Sequence, residues 1–235
     1  MAAQVSAGGQ ASPASVRLLQ AQRLQRLLRH AARRSPLYAS LLAGRPPDAQ
    51  SLGALPVMGK RELMVHVAAQ VGAADVRRVV GEAAYALERH AAVGPLRRLG
   101  DREAEAGRLR MPVREFWTGG EDLSPAMRHR VEQAFGCKVA NSYGASEFLT
   151  LAFECPHANL HLNSDWVILE PVDERGRPVP AGETGETTLL TNLANRVQPL
   201  IRYDLRDRVR LHTQPCGCGS PLPVVVGQGR SDDTL

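Results

Sequence analysis

The chain has 235 residues, enough for one large or two small domains with a sizeable core; 43% are hydrophobic but only 4% aromatic, so that core must rest on Leu, Val and Ala. The formal net charge is +5, and the cations are Arg apart from Lys60 and Lys138. They are interspersed with Asp and Glu and lack aromatic interleaving, which disfavours nucleic acid as a partner and suits a solvated surface with a leaning toward anions such as nucleotide phosphates.

Residues 1–14 are small and polar and are expected to form a disordered tail. Residues 15–106 are expected to be an N-terminal helical region. Within it, Val16 to Arg33 carries Leu18, Leu19, Leu24, Leu27 and Leu28 at helical spacing. Ser35 is an expected N-cap and Pro36 a first helical residue; Gly44 to Pro47 reads as a loop, and Leu52 to Met64 as a short turn and then a helix. Val65 to Ala106 has poor periodicity, and is read as weakly helical.

Residues 107–165 are expected to form an α/β core. Val113 to Trp117 reads as a buried strand that runs into Thr118-Gly119-Gly120-Glu121. Ser124 and Pro125 then start a helix that Gly136 ends, and Cys137 to Ala140 is the next short strand. A loop with the stretch Asn141-Ser142-Tyr143-Gly144-Ala145-Ser146-Glu147 should follow. In such units ligands bind beyond the carboxyl ends of the strands. Residues 166–235 are expected to be β-rich, with strands over 166–170, 186–191, 199–203 and 208–211, a hairpin turn over 173–177, and Val224 to Val226 leading into Gly229-Arg230.

Taken alone, Tyr-Gly-x-Ser-Glu can be any polar turn, and Asp207 with Arg230 can be a surface ion pair worth about 0–1 kcal/mol. The set is more specific. Thr118 to Glu121, Asn141 to Glu147, Ile201-Arg202-Tyr203-Asp204-Leu205-Arg206-Asp207 and Gly229-Arg230-Ser231-Asp232-Asp233, in that order and at those spacings, resemble the adenylate-forming enzymes, with the phenylacetate–coenzyme A ligase-like branch as the best match. The resemblance is strong over residues 107–235, weaker over 17–64, and breaks down between them.

That resemblance implies an incomplete adenylate-forming large domain, ending near a hinge at Asp232. It implies that Gly119, Gly120 and Glu121 line the adenine and acyl pocket, and that Tyr143 and Gly144 flank the base. Ser146 would meet the α-phosphate, Glu147 would hold Mg2+, Asp207 would accept from the ribose hydroxyls, and Arg230 would reach ribose or phosphate. Ser146 and Glu147 are thus the expected catalytic pair. ATP or AMP, Mg2+ and coenzyme A are the implied cofactors, and a small carboxylic acid, aromatic in some relatives, is the implied substrate. The sequence departs from the pattern at Arg206, where Gly is common. None of Gly72, Gly81, Gly94 and Gly100 lies in a Ser/Thr-Gly run of the kind that wraps ATP phosphates, so a central segment is expected to be lost. The lysine-bearing C-terminal domain is likewise expected to be absent. The expected function is an AMP-forming acyl or aryl–coenzyme A ligase, impaired or inactive; the alternative is a non-catalytic homologue that binds nucleotide or a partner.

The four cysteines do not make a disulfide framework for a chain of this length. Cys216 and Cys218 lie one residue apart in a Gly-rich turn, and with Cys155 and His161 they could complete a tetrahedral zinc site; His157 is an alternative to His161, and free thiols are an alternative to the site. The ligase-like branch has a similar Cys and His set. No apolar run approaches the roughly 18–20 residues that span a bilayer, and no secretory pattern opens the chain, so a cytoplasmic location is expected.

Overall fold

The computed structural model describes residues 11–63, 114–120 and 123–232. Helix α1 (Pro13–Arg34) is capped by Ser12, whose side chain accepts from the Ser15 amide at 3.1 Å, and it buries Val16, Leu24, Leu27, Leu28 and Ala31 on one face. The helix therefore reaches two residues into the stretch expected to be a disordered tail. Helix α2 (Pro36–Leu41) starts on Pro36 as expected, although the Ser35 side chain makes no capping bond. Helix α3 (Ala49–Gly53) is capped by Asp48, which accepts from the Ser51 amide at 2.9 Å. It follows the expected loop and ends in the expected turn at Leu52 and Gly53, and residues 60–63 are helical, as expected for that stretch.

Strand β1 (Glu115–Gly119), helix α4 (Pro125–Phe135) and strand β2 (Lys138–Ala145) form the expected parallel crossover unit, with Glu115 opposite Lys138 and Gly119 opposite Ser142. Ser124 caps α4 by accepting from the Met127 amide at 3.2 Å, and Gly136 ends it in the left-handed region at φ 61°. Two expectations fail here. β1 is not buried: among the described residues it is the edge strand, with Phe116 tilted against Phe135 at 5.3 Å and Trp117 60% exposed. And the Asn141 to Ala145 stretch is not a loop beyond a short strand but the second half of β2 itself.

Strands β3 (Phe148–Glu154), β4 (Leu160–Leu162), β8 (Asp207–Leu211) and β9 (Val224–Arg230) complete a six-stranded sheet of order β1-β2-β3-β4-β9-β8, antiparallel except for the first pair. Strands β5 (Val167–Val172), β6 (Thr187–Asn192) and β7 (Tyr203–Asp204) form a second, antiparallel sheet. The strand expected over 199–203 survives only at Tyr203–Asp204. Arg202 has φ 51°, which breaks the extended run, and its amide donates to the Thr191 hydroxyl at 3.0 Å. The first sheet draws β8 and β9 from beyond residue 166, so strands on both sides of the expected 165/166 boundary share one ladder.

One apolar cluster joins the two sheets through residues such as Leu151, Leu162, Val167, Leu190, Val209 and Val225. A second packs α1 and α2 with Leu52 and Leu55 onto Leu193 and Ile201. Buried Arg202 ties this second layer together: its guanidinium donates to the carbonyls of Leu55 at 2.5 Å, Gly176 at 3.1 Å and Gly53 at 3.2 Å, and pairs with Glu170 at 3.4 Å. The architecture is α/β, as expected.

Candidate functional site

Ser146 and Glu147 are the two residues of the β2–β3 hairpin turn. Just before them the register slips between Tyr143 and Ala145. Gly144 sits at the slip, and a Cβ there would lie 2.0 Å from the Leu149 carbonyl oxygen. The close approach that Gly144 permits is to the chain's own backbone. The turn is pinned from outside by Asn192, whose amide donates to the Glu147 carbonyl at 3.0 Å.

Tyr143 is directed from β2 toward the β8–β9 pair. Its hydroxyl donates to Asp207 Oδ2 at 2.7 Å. Asp207 opens β8 and Arg230 closes β9, and the ladder sets them opposite one another. Arg230 donates to Asp207 Oδ1 at 3.1 Å and forks onto both oxygens of Asp232 at 2.8 and 3.1 Å. Burial pushes the Tyr143 hydroxyl far up, with the Asp207 charge adding to it, so it stays a donor at any ordinary pH. Burial also raises Asp207, partly offset by the Tyr143 bond and the Arg230 charge. Asp232, held by Arg230, is pulled down.

The Glu147 charge acts on Tyr143, Asp207 and Tyr203. Tyr203, raised first by its own burial, also hydrogen-bonds Glu147. Gly119 lies beside Ser142 in the ladder, where an added Cβ would meet Ser142 Oγ at 2.7 Å, and Gly120 turns the chain at φ 82°. The structure therefore gathers Tyr143, Glu147, Asp207, Arg230 and Asp232 at one end of the sheet, with Gly119 and Gly120 at the end of the strand next to Tyr143. Ser146 is exposed on the turn. Glu121 lies outside the described residues. Sequence reasoning passed over Tyr203 and Asn192; Tyr203 stands inside the quoted 201–207 motif, whereas no sequence signal marked Asn192.

Arg206 answers the departure noted in the sequence. It has φ 59°, so the bend beside Asp207 is made despite the side chain. Its backbone is fixed from both directions: its amide donates to Asp204 Oδ1 at 3.0 Å, and its carbonyl accepts from the Ser231 amide at 2.8 Å.

A second constellation joins Cys155, His161, Cys216 and Cys218, whose ligand atoms all lie within 4.8 Å of one another. Cys155 Sγ and Cys216 Sγ are 3.9 Å apart, and Cys218 Sγ is 3.2 Å from His161 Nε2. A tetrahedral ion with bonds of about 2.3 Å to sulfur needs sulfur atoms roughly 3.8 Å apart, so the donor set fits zinc. Fully buried His161 uses Nδ1 against the Leu222 carbonyl at 2.8 Å, which leaves Nε2 for the cluster. The Cys218 amide is the largest of several donors that lower the Cys216 thiol to about 6. His161, not His157, belongs to the set; His157 lies instead against Gly217.

No family model matches the chain. Among curated proteins it is 34% identical over 124 residues to the phenylacetate-coenzyme A ligase of Thermus thermophilus, covering 50% of this chain and 27% of that protein. It is 31% identical over 128 residues to the phenylacetate-coenzyme A ligase of Pseudomonas putida, with the same shares. Over that matched half, the chain is similar to phenylacetate-coenzyme A ligases. It spans about a quarter of the length of these ligase relatives. The adenylate-forming fold is seen in solved structures of 2-hydroxyisobutyryl-CoA ligase. The postadenylation form with 2-HIB-AMP superposes with TM-score 0.71 at 18% identity, covering 97% of this chain and 70% of that one. The open form with 2-HIB-AMP and CoA gives 0.67 at 19%, covering 93% and 75%. Among the described residues no helix is long and apolar enough to cross a membrane.

Proposed function

We propose that this chain carries the nucleotide-handling part of an AMP-forming acyl or aryl–coenzyme A ligase. The observation that carries the reading is the Tyr143–Asp207–Arg230 set. A short carboxylate on a strand end, with an aromatic ring on one side and a guanidinium on the other, suits a ribose whose hydroxyls donate and whose phosphate is anionic. In this reading AMP competes with Tyr143 and Arg230 for the Asp207 oxygens. The Arg230 Nη1 released from Asp207 then turns to the ribose or phosphate while Asp232 keeps the rest of the guanidinium, and Gly119, Gly120 and Glu121 pass close to the adenine and acyl groups. Ser146, exposed on the turn, donates to the α-phosphate.

Mg2+ would supply charge neutralisation of the phosphates, and the Glu147 carboxylate would hold it. Cys155, His161, Cys216 and Cys218 would hold a structural zinc that ties the Cys155–His161 turn to the Cys216–Cys218 loop. ATP and coenzyme A are the co-substrates of this reading, a small carboxylic acid is its acyl donor, and Asp232 is its hinge. An aryl preference draws little from Phe116, which packs on Phe135, or from Phe148, which packs into the core between the sheets.

A second reading, a nucleotide-binding module without turnover, is favoured by one feature: no Ser/Thr-Gly run lies between residues 65 and 106. Calorimetry with AMP and ATP, beside pyrophosphate release with phenylacetate and other small acids, separates the two. Turnover supports the ligase; AMP binding without turnover supports the module. Failure to bind AMP, or binding that survives Asp207→Ala undiminished, would overturn both.

A further inference from the structure

Away from Tyr143 and Asp207, helix α1 presents Arg26, Arg29 and Arg33, spaced three and four apart and so stacked along one face. They line a hollow of about 360 Å³ with His30, Arg34 and Arg196, and among the described residues no carboxylate contributes to its wall. Among the described residues, none of these five arginines pairs with a carboxylate. The arginines that pair with acidic groups, such as Arg23 with Asp165 at 2.8 Å, lie outside this hollow. The helix thus keeps a row of guanidiniums that repel one another and have no counter-charge among the described residues.

The opposite wall is built rather than floppy. The Asn192 side chain accepts from the Ala194 and Asn195 amides at 3.0 and 3.1 Å, and the Asn195 side chain accepts from the Val197 and Gln198 amides at 3.0 and 3.1 Å. His30 Nε2 meets the Arg196 carbonyl at 3.0 Å and fastens this loop to α1. Next to the basic hollow is a second space of about 570 Å³, bordered by Arg26 and Arg196 and by Trp166, Leu193, Ala194 and Val197. The Arg23 guanidinium lies 3.4 Å from the Trp166 ring centroid and covers that ring. Guanidinium forks on one side and a flat, partly apolar shelf on the other are complementary to a phosphate chain joined to a small organic body. The combined volume is that of a small-ligand site.

We infer that the α1–Arg196 groove binds a small organic polyphosphate, of nucleoside polyphosphate size, at a site separate from the Asp207 cluster. No residue that lines the groove belongs to the Asp207 cluster; Asn192 braces both the Glu147 turn and the groove's loop and is left untouched in the variants, so loss at one site can be told from loss at the other. The groove is tested in the full chain carrying Trp117→Phe, which leaves Trp166 as the single tryptophan reporter. Inorganic tripolyphosphate probes the phosphate chemistry alone, and ATP, in an added Asp207→Ala background, probes the organic body. Both should change Trp166 emission saturably, and both should weaken as salt rises. ATP should bind more tightly than tripolyphosphate. Arg29→Ala with Arg33→Ala, both at exposed positions, should weaken both by about tenfold or more, because charge-assisted hydrogen bonds are lost. Calorimetry on the same variants reads binding that leaves the emission unchanged, and circular dichroism checks that α1 stays helical. Three results would overturn the inference: no binding by either method at millimolar ligand, affinities unchanged in the double variant, or a single-stranded oligonucleotide that outcompetes both small ligands at equal salt.

Discussion

Replacing Arg206 with Gly should stabilise the protein. Arg206 holds φ 59° next to Asp207. For an L-residue this region costs roughly 1–2 kcal/mol, a cost Gly does not bear. Gly gives back about 0.5–1 kcal/mol through the greater freedom of its unfolded chain. The Arg206 side chain also approaches Asp232 at 3.5 Å, but the two side chains are 57% and 37% exposed, so that pair belongs at the low end of about 0–1 kcal/mol. The balance is a gain of roughly 0.5–1 kcal/mol, which for a chain of this size raises Tm by about 1–4 °C. Thermal melts and urea titrations of wild type, Arg206→Gly and Arg206→Ala measure it. The Ala variant keeps the strained backbone and loses only the ion pair, so it should lie within about 0.5 kcal/mol of wild type. A Gly variant that melts at or below wild type, or an Ala variant that gains as much as Gly, would refute the strain argument.

Gly144→Ala should cost about 1–3 kcal/mol or more in urea unfolding, since its methyl would overlap the Leu149 carbonyl; an unchanged midpoint would mean that the hairpin yields freely. Arg202→Met should cost about 3–5 kcal/mol, because it leaves Glu170 buried without its partner and strips three carbonyls of their donor. Protein purified from zinc-supplemented cultures should hold about one zinc per chain, and Cys218→Ser should lose it and melt lower; elemental analysis of both decides. Burial raises Asp207, so its contribution to stability is full below its unfolded pKa and is lost as pH rises through the folded value. Asp207→Asn cannot ionise, so its stability relative to wild type should increase from about pH 4 to pH 7, and a relative stability that falls over that range would contradict the assignment.

Much of the fold could be read from residue pattern because local signals agreed with it. Ser124, Pro125 and Gly136 bracket α4 in both sequence and structure, and Leu24, Leu27 and Leu28 mark the face that α1 buries, while Leu18 and Leu19 of the same run stay exposed. The errors fall where long-range pairing decides. Nothing local says that β1 is an edge strand, so the apolar look of Phe116-Trp117 suggested burial, while the sheet order leaves Trp117 in the open. The strand over 199–203 looked extended until the left-handed Arg202 and its buried contacts broke it. At the candidate site, the motif named the residues that meet but not how they meet. The hydrogen bond from Tyr143 to Asp207 spans 64 positions, and only the β8–β9 ladder brings Arg230 to the same carboxylate. The thiol cluster was legible as a donor list, yet the choice of His161 over His157 needed the strand pairing that places His161 opposite Val224 and Phe153.

Strand β9 is the last in the chain to be described and yet lies inside the large sheet, between β4 and β8. That arrangement sets an order of assembly. Until residues 224–230 arrive, β4 presents a bare ladder edge, and β8, though bridged to Thr184, is not joined to the β1–β4 ladder, so completion of the sheet waits on β9. Closure of this kind is slow, because contacts must form across long stretches of chain before any of them is rewarded. In the interval the open edge can recruit a strand from another molecule. Slower translation or a chaperone that shields β4 should therefore raise the yield of folded protein more than any change within α1.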